Sequence, residues 1–167
     1  VKLVETLAMF SLEGIEAHSL DTDNRSLARC HQSQTFLLGQ AIPCGLGTGG
    51  DSALARAAVE SESEHLAEIV RGADLVFIIA GMGGGTGTGA APFLANLAKE
   101  AGALVVGVAA TPFECEGVRR CNQATGGVRD LKQVADAVFH FPNQDVVVME
   151  GADISLHEAL DIANRHL

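Results

Sequence analysis

The sequence predicts an α/β domain with a mainly parallel sheet, on three observations. Short β-branched apolar runs alternate with longer stretches of helical apolar spacing, the order from which parallel sheets are built. The two middle runs, Leu75–Ala80 and Leu104–Ala109, are almost uniformly apolar, as in strands covered on both faces. A glycine-rich loop, "GMGGGTGTG" from Gly81 to Gly89, lies where the first of these runs hands over to a helix. Ligands of such sheets sit at the carboxyl ends of strands, which is where this loop falls.

The elements follow in order. Val1–Phe10 has helical apolar spacing (Val1, Val4, Leu7, Ala8) with no capping residue before it. Ile15–Leu20 reads as a strand. Asp51–Arg71 reads as one helix, with Asp51 as N-cap after "GLGTGG" and Gly72 as its stop. Its Glu60, Glu62, Glu64 and Glu68 read as a solvated surface. Leu75–Ala80 is a strand, and Thr88–Ala101 a helix with Thr88 as N-cap, Pro92 in its first turn and Gly102 at its end. Leu104–Ala109 is a strand, Val118–Gln133 a helix and Ala137–Phe141 a strand. Asp153–Leu167 is an amphipathic helix without a Gly or Pro stop. Both ends of the chain therefore read as cut, with a preceding strand and a following segment expected outside it.

Composition narrows the function classes. With 167 residues the chain suits one domain, and 47% hydrophobic with 19% charged residues is an ordinary globular balance. Trp and Tyr are absent, so aliphatic residues must build the core. The longest apolar run is far short of the roughly 20 residues that cross a bilayer, and no basic-plus-apolar leader opens the chain. The expectation is a cytoplasmic protein without direct membrane insertion. A net charge of −10 argues against nucleic acid as a partner, because phosphate backbones reward Lys and Arg. Phosphate, if bound, is held by backbone N–H groups. Cys30, Cys44, Cys115 and Cys121 have neither C-x-x-C pairing nor zinc spacing and read as isolated reduced thiols.

Six of the nine residues from Gly81 to Gly89 are glycine. Each costs roughly 0.5–1 kcal/mol to order relative to alanine, so the loop needs a compensating purpose. A tight turn under close helix–sheet packing needs only one or two. A helix N-terminus carries unsatisfied N–H groups and partial positive charge, and glycines there let backbone approach phosphate oxygens. The loop is therefore read as an anion cradle, and a valine at Gly87 is expected to fill phosphate space while leaving the fold largely intact. The P-loop pattern fails, since the next lysine is Lys99. Gly85, Gly87 and Ala90 satisfy the dinucleotide fingerprint, but the acidic residue expected about 20 positions on is absent from "VAATPF". An NAD-type oxidoreductase is thereby demoted.

The string "GGGTGTG" (Gly83–Gly89) resembles the signature of the tubulin/FtsZ family, most closely its bacterial FtsZ branch. "DTDNRSL" (Asp21–Leu27) resembles the family's "NTDAQAL", and "GLGTGG" (Gly45–Gly50) its "GLGAGG". "PFECEGVRR" (Pro112–Arg120) is similar to "PFxFEGxxR", "FPN" (Phe141–Asn143) to "IPN", and "SLHEALDIAN" (Ser155–Asn164) to the start of the family's core helix. The resemblance implies a three-layer, Rossmann-like GTP-binding domain over residues 1–152, lacking its first strand and first glycine loop. Residues 153–167 would begin the core helix, with the second family domain absent.

What the resemblance implies for the site is specific. Gly83, Gly84, Gly85, Thr86, Gly87 and Thr88 would wrap the α- and β-phosphates of GTP or GDP, and Gly47, Thr48, Gly49 and Gly50 would sense the γ-phosphate. Asp23 joins the same set. Glu116 and Arg120, four apart and so on one helical face, would hold ribose and the neighbouring phosphate. Asn143 and Asn164 would recognise guanine. Two departures stand out: Asp21 replaces the family's asparagine, adding charge that Mg²⁺ would offset, and Leu160 replaces the aromatic that stacks on guanine. No catalytic acid and no protein metal site are found. The implied function is a GTPase of a prokaryotic filament or cell-division ring, self-associating or pairing with another FtsZ-like chain, with hydrolysis completed by a neighbouring subunit. The alternative is a non-hydrolysing nucleotide-binding or regulatory module that interacts with an FtsZ-like partner.

Overall fold

The computed structural model describes residues 14–31, 33–39, 45–150 and 155–166. The expected Val1–Phe10 helix, Cys44 and the outermost residues of the last expected helix lie outside them. Among the described residues all strand pairing is parallel. Strand β1 (His18–Asp21) pairs with β2 (Gln34–Leu37), with the short α1 (Asn24–Leu27) between them in sequence. A second sheet has the order β3 (Leu75–Gly81), β4 (Leu104–Thr111), β5 (Ala137–Pro142), in register from Leu75 opposite Leu104 and from Val106 opposite Ala137. The crossovers are α4 (Gly85–Glu100) and α5 (Val118–Val134). Helices α2 (Ser52–Ser61) and α3 (Ser63–Val70) precede β3, and α6 (Asn143–Glu150) and α7 (Leu156–His166) follow β5. The α/β class with parallel strands is as predicted.

Alternation along the strands decides what each face meets. Val76, Ile78, Ala80, Val105, Ala109 and Val138 turn to α4 and α5, where Ala91, Ala95, Ala98, Val128 and Leu131 complete the main core. Alanines on α4 let it lie close to the sheet, and Leu131 of α5 is fully buried, a side chain whose burial is worth about 1.5–3 kcal/mol. The opposite face is covered only in part among the described residues: Leu75, Phe77, Leu104 and Phe139 are exposed. A second core joins Leu38 to Ala58, Val59 and Leu66 of α2 and α3 and to Ala90 of α4. A third unites Phe113 with Val146 of α6 and Ala159 and Ala163 of α7.

Several boundaries differ from expectation. The helix expected over Asp51–Arg71 breaks at Glu62, which leaves helical backbone at φ −106°, ψ 13°. There the Ser61 hydroxyl donates to the Ala58 carbonyl at 2.7 Å, competing with the helical ladder. Asp51 does cap α2, accepting from the N–H groups of Ala53 and Leu54, and Gly72 follows α3 at φ 80°. The strand expected over Ile15–Leu20 is confined to His18–Asp21. Strand β2 and helices α1 and α6 are not foreseen. In α6, Val146–Val148 are poor helix formers, and the helix is held by packing of Val146 on Phe113, Ala159 and Ala163. Cys30, Cys115 and Cys121 form no disulfide.

Candidate functional site

Strand β3 ends at Gly81, and the Met82 N–H donates to the Ala110 carbonyl at 2.7 Å, which carries the chain past the sheet. Gly83 then turns at φ 96°, and its N–H donates to the Thr88 hydroxyl at 2.9 Å in a buried position. Helix α4 begins at Gly85 with Gly84 as an extended N-cap that has no side-chain oxygen. Thr88 is therefore not the N-cap. It lies a turn inside the helix and ties the loop back on itself, while Pro92 sits two turns in rather than in the first turn. The first turn of a 16-residue helix thus presents N–H groups without a capping side chain, together with its positive dipole end.

The glycines of this loop divide by what surrounds them. A Cβ on Gly85 would be driven into the Thr48 hydroxyl and the Asp51 backbone, and one on Gly87 into the Gly81 carbonyl. One on Gly89 would meet the Ser52 carbonyl and Ala55 of α2. These three permit close backbone approach, of α4 to α2 and of the loop to its own strand. A Cβ on Gly84 meets nothing within 4 Å. Close packing therefore takes more of the glycines than the one or two expected. A valine at Gly87 would disrupt the strand–helix turn, not leave the fold intact.

The second glycine loop is stitched alongside. Asp23 and Leu46 form an antiparallel bridge, and the Gly47 N–H donates to the Thr22 carbonyl at 3.0 Å. Gly47, Gly49 and Gly50 have φ of 80°, 58° and 86°, and Thr48 between them is buried. The two loops meet through hydroxyls: Thr22 and Thr86 lie 2.7 Å apart, and Thr86 donates to Asp21 at 3.3 Å, so Thr22 donates to Thr86. The Asp21 carboxylate also accepts from the N–H groups of Thr22 and Asp23 at 2.7 and 3.1 Å. These donors and the nearby α4 N-terminus offset its charge. Asp23 caps α1 and faces Arg25. Hydrogen bonds from the Arg25 side chain, then from its backbone N–H, hold the Asp23 carboxyl below its ordinary pKa.

At the carboxyl end of β4, Glu116 closes a 3₁₀ turn (Glu114–Glu116), and Gly117 at φ 101° separates it from α5. Glu116 and Arg120 are thus not on one helical face, although their ion pair forms across the junction at 3.1 Å. Glu116 also accepts from the Phe113 N–H at 2.9 Å. Arg120 packs against Gly83, whose Cβ would fall 2.9 Å from both its Cγ and its carbonyl oxygen. At the end of β5, Asn143 opens α6 and is half-buried. The carboxyl ends of three adjacent parallel strands therefore carry the glycine loop, the Glu116–Arg120 turn and Asn143.

The model of the tubulin/FtsZ family GTPase domain matches residues 5–149. The chain belongs to the tubulin/FtsZ family. A curated relative, the cell division protein FtsZ of Buchnera aphidicola subsp. Baizongia pistaciae, is 39% identical over 164 residues, covering 98% of this chain and 43% of the relative. Among solved structures, an empty FtsZ dimer from M. jannaschii superposes with a TM-score of 0.93 at 33% identity, covering 98% of this chain and 48% of that one. A GTPγS-bound CetZ2 protofilament from Haloferax volcanii superposes with a TM-score of 0.83 at 30% identity, covering 98% and 51%. The chain thus spans about half the length of these relatives.

Within this tubulin/FtsZ domain the two glycine loops, Asp23, Glu116 and Arg120 come together through the contacts above. Asn143 stands at the end of the neighbouring strand. Asn164 lies on α7, whose Ala159 and Ala163 pack on Phe113; its side chain lies outside the described part. Leu160 is exposed on the same helix. One participant was not foreseen. Gln123 of α5 donates from Nε2 to both the Gly50 and Gly84 carbonyls, each at 2.9 Å. Nothing in the sequence distinguishes it from a solvated helix glutamine. A solvent-open hollow of about 420 Å³ at the α2–α3 bend is lined by Ser61, Glu62, Ser63, Glu64, His65 and Glu68. Its acidic rim repels phosphate, and none of these residues belongs to the loops. Among the described residues, no group of three or more His, Cys, Asp or Glu could hold a metal, and no helix is long and apolar enough to cross a membrane.

Proposed function

We propose that this chain binds GTP and GDP as the nucleotide-binding part of a cytoplasmic FtsZ-like filament GTPase. The observation that carries the reading is the uncapped N-terminus of α4 at the end of β3, with open space beside the half-buried Gly84 and a second glycine loop alongside. In this reading Gly83–Thr88 hold the α- and β-phosphates through backbone N–H groups and the helix dipole. Gly47–Gly50 meet the γ-phosphate, with Thr22 and Asp23 bracing that loop. Glu116 and Arg120 take the ribose and a neighbouring phosphate oxygen, and Asn143 and Asn164 the guanine edge. Mg²⁺ belongs to the same proposal: an oxygen-preferring cation suits a triphosphate next to the Asp21 carboxylate. Residues 1–152 act as the nucleotide domain, and 153–167 begin a helix leading to the rest of the protein.

Hydrolysis requires a positioned water and a group to orient or activate it. The roles assigned to these residues are phosphate, sugar and base binding, so the proposal places that group on a neighbouring subunit. Relatives support assembly: one solved neighbour is an FtsZ dimer and another a CetZ2 protofilament. The test is calorimetric titration of the chain with GTP, GDP and NADH, followed by GTP turnover of the full-length protein against its concentration. Saturable GTP and GDP binding is expected, with turnover per subunit rising above a threshold concentration. NADH binding without guanine-nucleotide binding overturns the proposal. Nucleotide binding without turnover at any concentration assigns the non-hydrolysing module instead.

A further inference from the structure

We infer that Gln123 is a positioning residue that ties the two glycine loops into one anion-binding unit and sets the preference between nucleoside tri- and diphosphate. The inference rests on the nucleotide reading above. A glutamine amide nitrogen carries two hydrogens, and here both are used, one on the Gly50 carbonyl and one on the Gly84 carbonyl, each at 2.9 Å. A single nitrogen therefore fixes how far apart the loops lie.

It also fixes orientation. In a trans peptide the carbonyl and the following N–H point in opposite directions. Holding the Gly84 carbonyl toward α5 turns the Gly85 N–H away from α5, as the first uncapped donor of α4. Holding the Gly50 carbonyl fixes the point where the second loop enters the Asp51 cap of α2. The base of α5 is itself anchored at the site, because Arg120 packs on Gly83 and pairs with Glu116. Displacement of the Gly47–Gly50 loop by a γ-phosphate is thereby transmitted through one side chain to the α4 cradle.

The experiment compares wild type with Gln123→Met, of similar length without donors, and Gln123→Lys, which keeps donors on a long stem. Each is titrated with GTP and GDP, and the backbone amide resonances of Asp51 and Gly85, whose N–H groups share peptides with the two held carbonyls, are recorded in the unliganded proteins. In Q123M the resonances should shift and the ratio of GTP to GDP affinity should fall about tenfold, the loss of one to two hydrogen bonds felt by one ligand only. Q123K should recover most of the ratio. A purely structural tie would lower the melting temperature and both affinities alike, and an unchanged ratio in Q123M overturns the inference. If wild type binds neither nucleotide, the functional reading fails. Unchanged Asp51 and Gly85 resonances in Q123M then separately overturn the tie.

Discussion

The two glycine loops have similar compositions and different reasons for them. In Gly81–Gly89, the residues Gly85, Gly87 and Gly89 have ordinary negative φ, and their hydrogens are needed because neighbouring backbone fills the space a Cβ would take. In Gly45–Gly50, Gly49 and Gly50 have open space around them but left-handed backbone, at φ 58° and 86°. Gly85, Gly87 and Gly89 serve proximity and Gly49 and Gly50 handedness, while Gly83, at φ 96° and crowded by Arg120, combines the two. Proximity is a property of the packed whole, whereas handedness is local. Substitutions in the two loops should therefore fail in different ways.

The largest effect should come from Gly87→Ala. Its Cβ would enter the Gly81 carbonyl, which is strand backbone and cannot rotate away as a side chain would. The cost should lie near the top of the range for overpacking, roughly 3 kcal/mol. Gly89→Ala, aimed at the Ser52 carbonyl of α2, should behave similarly. Urea unfolding measures both. A loss below about 0.5 kcal/mol, the ordinary surface range, would remove proximity as the reason for these glycines.

Much of this region is legible in the sequence. Apolar runs locate β3, β4 and β5 to within a residue or two, because their alternation and their glycine and proline boundaries are local signals. The motif residues locate the strand-end loops. The start of α4 is missed by three residues because propensity puts a cap at Thr88 and no helix through "GTG". The helix forms there because Gly85 and Gly89 let α4 dock on Thr48, Asp51 and α2, a gain that only tertiary structure supplies. The Glu116–Arg120 spacing suggests a shared helix. The left-handed Gly117 interrupts it, yet the pair forms. Gln123 leaves no local trace, because its two acceptors are 73 and 39 residues away in the chain.

Gly84→Ala separates the two uses of the first loop. Gly84 is extended, at φ −89° and ψ 180°, a conformation any residue adopts, and its Cβ would enter open space. Stability should therefore change by less than about 0.5 kcal/mol. The methyl group would stand at the mouth of α4, where the proposal puts phosphate oxygens, and should weaken GTP and GDP alike by about tenfold, equivalent to losing one charge-assisted hydrogen bond. Calorimetry alongside urea unfolding reads both quantities. Normal affinity with normal stability would move the phosphate away from Gly84.

The smallest effect belongs to the second loop. At Gly49 an added Cβ meets no atom within 4 Å, so Gly49→Ala is penalised only by its left-handed backbone at φ 58°. That cost is about 1 kcal/mol for an ordinary L-residue. Asparagine enters the left-handed region more readily, so Gly49→Asn should recover part of the loss although its side chain is larger than alanine's. That order, Asn above Ala, is opposite to what crowding produces, and urea unfolding of the two variants distinguishes the cases. If Gly49→Asn is the less stable, space and not handedness limits this loop, and the contrast with Gly85, Gly87 and Gly89 disappears.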